Sequence, residues 1–70
     1  MLTDCNYDKT KIIHDLSRIA HFIKNHAVSD AKKEGHPLCA EMYKEIAQDI
    51  ESSLAKLRAA ITGLAKENKY

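Results

Sequence analysis

The chain has 70 residues, 44% of them apolar and 30% charged, with two Gly, one Pro, two Cys and a formal net charge of +1. A chain this short forms at most one domain, its composition is that of a helical protein and not of a disordered or disulfide-rich one, and its charge exerts no overall pull toward nucleic acid or membrane. It contains no run of about 18 apolar residues, and its first residues, MLTDCNYDK, lack a signal-peptide pattern, so a cytoplasmic protein with no membrane partner is expected. Cys5 and Cys39 are too far apart to resemble a secreted scaffold, and free thiols fit that expectation.

The expected domain is residues 1–70, with 1–7 and 67–70 frayed at its ends. From about residue 8 to residue 34, Ile12, Leu16, Ile19, Ile23 and Ala27 recur at three- and four-residue steps, which predicts an amphipathic helix. Asp8 or Thr10 is placed to cap it, and Lys32 and Lys33 suit the negative end of its dipole. A turn is predicted over 35–37, where Gly35 can take the left-handed closing conformation and Pro37 suits a first-turn position. A second helix is predicted from about 38 to 66 on the series Cys39, Met42, Tyr43, Ile46, Ile50, Leu54, Leu57, Ile61 and Leu64. So short a link forces neighbouring helices to run antiparallel, as an all-α hairpin whose first helix is about 40 Å long.

Each apolar arc covers about half of its helix, wider than one partner helix hides. On the first helix it runs from Phe22 through Ile19, Ile12, Ile23 and Leu16 to Ala20, Ile13 and Ala31. On the second it runs from Met42 through Ile46, Leu57, Ile50, Ile61 and Leu54 to Ala47. Two hairpins paired into a homodimeric four-helix bundle would cover both arcs, and a different helical protein is the other occupant that fits. The seam is assigned to Ile12, Leu16, Ile19, Ile23, Ile46, Ile50, Leu54, Leu57 and Ile61. In size and outline this architecture resembles the plasmid primer-repressor family of RNA-binding hairpin dimers, a likeness of shape with no shared motif.

Polar residues interrupt the arcs near the turn. His26 and Asp30 lie four apart on the first helix, Cys39 and Tyr43 lie on the second, and antiparallel pairing places Asp30 level with Tyr43. One reading is a layer that fixes register, with His26 paired to Asp30 and Cys39 packed as a small apolar residue. Another is a metal site of His26, Asp30, His36 and Cys39, since imidazole, carboxylate and thiolate suit an ion such as zinc. No Glu-x-x-His pair occurs, which excludes bundle di-iron chemistry, and a two-helix seam gives Cys39 no substrate pocket. A protein without catalytic activity and without an obligatory cofactor is therefore expected.

The outer face of the first helix carries Lys11, His14, Arg18, His21, Asn25, Ser29 and Lys32 with no acid among them, a pattern that fits nucleic acid or an acidic partner. The outer face of the second is acidic at first, with Glu41, Glu45, Asp49 and Glu51, and basic later, with Lys56, Arg58, Lys66 and Lys69. That split favours antiparallel stacking of two copies. The function expected is a small oligomerisation or protein-interaction module. Binding of nucleic acid or an acidic partner through Lys11, His14, Arg18, His21 and Lys32, and metal binding at the turn, are the alternatives.

Overall fold

A computed structural model describes residues 4–69 and is helical throughout apart from two turns. The first rod is built from α1 (Asp4–Phe22), a π-helical turn (Ile23–Ala27) and α2 (Val28–Lys33). The second is one uninterrupted helix, α3 (Pro37–Lys66). The two lie antiparallel, tied near the open end by Asn6 to Lys69 and midway by Lys24 to Glu51. The molecule measures 50 × 18 × 13 Å.

Local chemistry accounts for the turn. Pro37 occupies the first turn of α3, where its missing N–H would have no helical acceptor in any case. Gly35 has φ 72°, the left-handed conformation that an L side chain resists, and the amides of Gly35 and His36 close the helix end on the carbonyls of Lys32 and Ala31.

Several boundaries differ from those expected. The first helix begins at Asp4, four residues before the predicted start, so residues 4–7 are ordered helix; residues 1–3 fall outside the described region. Asp8 and Thr10 therefore lie inside the helix, and the Thr10 hydroxyl donates back to the Asn6 carbonyl at 3.1 Å. Residues 67–69 form a closed turn in which Asn68 has φ 59° and the Lys69 amide donates to the Leu64 carbonyl at 2.8 Å; Tyr70 is outside the described region. The Lys69 carbonyl then accepts from Asn6 Nδ2 at 3.1 Å, which ties residue 6 to residue 69.

The seam is also displaced from the middle of each arc. Among the described residues the buried apolar ones are Ala20, Ile23, Ala31, Ala40, Ala47 and Leu54, four of the six being alanines. Small side chains let the rods approach closely, and they do so along one flank of each arc. Of the nine residues assigned to the seam, only Ile23 and Leu54 are buried there. Leu16, Ile50, Leu57 and Ile61 are half-buried beside it, and Ile12, Ile19 and Ile46 are exposed at 45%, 49% and 40%. These last three therefore lie off the seam between the two rods. The hydrophobic pattern located the apolar arcs but did not distinguish the flank that meets the neighbouring rod from the flank that does not.

Candidate functional site

Helix phase gives the hairpin two unlike sides. On one, the large apolar residues left over from the seam gather: Ile12, Ile19 and Phe22 from α1, and Met42 and Ile46 from α3, with Ile50 and Leu57 half-buried between the rods. Phe22 reaches around far enough to share a groove with Cys39 and Tyr43 of α3, which fixes this side as the one both arcs overlook. On the other side a groove of about 260 Å³ is lined by Ser17, His21, Lys24 and Asn25 of the first rod and Glu51, Leu54 and Arg58 of α3.

That polar side is organised by an ion pair. Lys24 Nζ donates to Glu51 Oε1 at 2.6 Å, which pulls the Glu51 carboxyl below the ordinary carboxylate range; the hydrogen bond from Lys24 is the largest cause, followed by the lysine charge and more weakly by that of Arg58. Both partners are exposed, so solvent screens the pair and its effect is chiefly to hold the π-helical turn and α3 in register. Asn25 Nδ2 donates to the His21 carbonyl at 2.9 Å and lies 3.2 Å from His21 Nδ1, tying the imidazole to the π turn.

Three of the five residues of the predicted basic face come together. His14, Arg18 and His21 line one shallow hollow with Ser17, Phe22 and His26. Lys11 and Lys32 line neither hollow of this side, and Lys11 is paired with Asp15 at 3.4 Å. Arg58 was not foreseen there; adding residue numbers across the hairpin, as Asn6 with Lys69 or Lys24 with Glu51, places it level with Ser17, and that register was the signal available.

The turn-proximal polar cluster divides. Asp30, His36, Cys39 and Tyr43 line a groove of about 250 Å³ with Phe22, Ala27, Ala31 and Glu34. His26 leaves this group: it is exposed and stacks on Phe22 with ring centroids 5.5 Å apart and planes at 27°. No hydrogen bond or ion pair joins His26 to Asp30, so the pairing expected between them is corrected. The π turn is the cause. Its extra residue sets α2 back by one position, so Asp30 stands where residue 29 of a regular helix would and is exposed instead of centred on the arc. His36 Nδ1 approaches Glu34 at 3.7 Å, and among the described residues no three His, Cys, Asp or Glu side chains converge as metal ligands. The set His26, Asp30, His36 and Cys39 is accordingly not assembled.

Glu41 and Glu45 are exposed on α3, as their outward placement requires, and Glu41 pairs with Lys44 at 3.3 Å. Among the described residues no helix is long and apolar enough to cross a membrane, and Cys5 and Cys39 are free thiols. No protein-family model matches the chain, and neither does any curated protein or solved structure.

Proposed function

We propose that this chain is a non-catalytic oligomerisation module whose apolar side pairs with that of a second copy to form a four-helix bundle. The observation that carries the reading is the concentration of Ile12, Ile19, Phe22, Met42 and Ile46 on one side of the hairpin, each at least 40% exposed. Contiguous exposed apolar surface of this kind marks an interaction site.

The area fits a partner of standard size. The accessible surface is 5336 Å² for a mass of 7.9 kDa, whereas folded monomers of that mass expose about 4,400 Å². The excess of about 900 Å² is close to the ~800 Å² that each partner buries in an ordinary specific interface. A second copy is favoured over a foreign helix by the charges of α3, with Glu41, Glu45 and Asp49 in the half near the turn and Lys56 and Lys66 in the far half. A two-fold axis across the rods lays each half against its opposite, the self-complementarity an isologous interface needs.

Sedimentation equilibrium over a wide concentration range tests the reading. A mass near twice 7.9 kDa, falling toward a single chain on dilution, is the expected result. A single stable chain at every concentration would reject it.

A further inference from the structure

We infer that the polar side of the hairpin, opposite the apolar one, is a binding surface for the phosphate backbone of nucleic acid. Two adjoining hollows share Ser17 and His21. The first holds His14, Arg18 and His26, and the second Lys24, Asn25, Glu51 and Arg58. Across this surface the permanent cations are Arg18, Lys24 and Arg58. The acids facing it are Glu51, already held by Lys24 at 2.6 Å, and Asp15 at the edge beyond Arg18, held by Lys11 at 3.4 Å. Both arginines thus keep their guanidinium groups for an outside anion, with the Ser17 hydroxyl between them.

A polyanion suits this surface better than a protein does. Protein partners are anchored by apolar or aromatic side chains in desolvated pockets. Here Ile12, Ile19, Met42 and Ile46 lie on the other side, with Phe22 reaching into the first hollow beside His26, and both hollows are open. Phosphate contacts draw on Arg, Lys, Ser and Asn, the residue types present, and they need charge spread along a line more than depth. His14, Arg18, His21 and Asn25 follow one another every three or four residues, a line about 16 Å long at 1.5 Å per residue. With a net charge of only +1 the attraction is local, so binding is modest and falls steeply with salt.

The test uses the full chain and a fluorescein-labelled RNA of mixed sequence, about 20 nucleotides long, as single strand and as duplex, followed by anisotropy. At about 50 mM salt at least one form binds, and the logarithm of affinity falls linearly with that of salt. Arg18→Gln with Arg58→Gln weakens binding about tenfold and flattens the slope by about two, while Lys32→Gln with Lys33→Gln, outside both hollows, changes it far less. All these side chains except Ser17 are exposed, so the variants fold, and unchanged circular dichroism verifies it. The inference is overturned by failure of both RNA forms to bind, by binding that the arginine pair leaves intact, or by competition from polyglutamate as strong as that from unlabelled RNA.

Discussion

Among the described residues Asn6 is the one buried polar residue, 4% exposed, and its side chain works in two directions. Nδ2 donates to the Lys69 carbonyl, and Oδ1 accepts from Lys9 Nζ at 3.2 Å. Asn6→Ala leaves that carbonyl without its donor and should lower stability by about 1–2 kcal/mol. For a chain of this size that is a fall in Tm of roughly 5–15 °C, measurable by thermal circular dichroism. Asn6→Asp should cost more, because it keeps the bond to Lys9 but aims a buried carboxylate at a carbonyl oxygen. An Asn six residues from the start of a chain gives no sign in the sequence of being buried. Its role depends on where residue 69 arrives, and that is fixed by the sum of two helix lengths and a turn.

Glu51 supplies a prediction about pH. Its carboxyl is held low by the Lys24 hydrogen bond and charge, so the folded state binds its proton less readily than the unfolded chain does. The pair's contribution is therefore present above the ordinary Glu range and lost as pH falls through the depressed folded value. In carbon-detected NMR titration, Lys24→Met should move the Glu51 midpoint back up toward that of an unpaired Glu. A midpoint that does not move would show that the lysine is not its partner in solution. The outward direction of Glu51 was legible from helix phase, but its partner was not, because 27 residues separate the two.

At the scale of elements, amphipathic period and punctuation were enough to place two helices and the turn between them. Gly35 and Pro37 act as their chemistry requires. Since no atom lies within 4 Å of a Cβ built on Gly35, the cost of Gly35→Ala is conformational only, about 1–2 kcal/mol for a left-handed L residue. Chemical denaturation would read it as a shift in midpoint at constant m-value. The π turn was not legible, because Ile23, Lys24, Asn25, His26 and Ala27 include neither Gly nor Pro and the apolar spacing runs through them without a break. It makes a specific prediction. Deleting Asn25 should convert the wide turn to a regular one and leave Ala20, Ala31 and Ala40 buried, with helicity and cooperative unfolding kept. Deleting Arg18 from regular α1 should instead rotate everything before it by about 100° and disrupt the seam, costing at least about 2 kcal/mol. Equal loss from both deletions would show that the wide turn is not where the extra residue is absorbed.

At the scale of the molecule, arc width was the useful signal, because it exceeded what one seam covers; the choice of flank depended on alanines that hydrophobic weighting ranks low. That choice makes the proposed bundle testable with residues that a lone hairpin does not need. Ile19 and Ile46 are 49% and 40% exposed, so Ile19→Asp and Ile46→Asp should change a solitary hairpin by no more than about 0.5 kcal/mol. In a paired bundle the same carboxylates would be buried without partners, a penalty of several kcal/mol that sedimentation would read as loss of the dimer. Thermal unfolding adds an independent measure: the Tm of the natural chain should rise with concentration by mass action, and the Tm of either Asp variant should not. Ile50→Asp sits between the two cases, half-buried against the seam, and should damage the hairpin and the dimer together. If Ile19→Asp and Ile46→Asp leave both mass and Tm unchanged while Ile50→Asp unfolds the chain, the exposed flank is not a dimer interface and the hairpin is stable on its alanine seam alone.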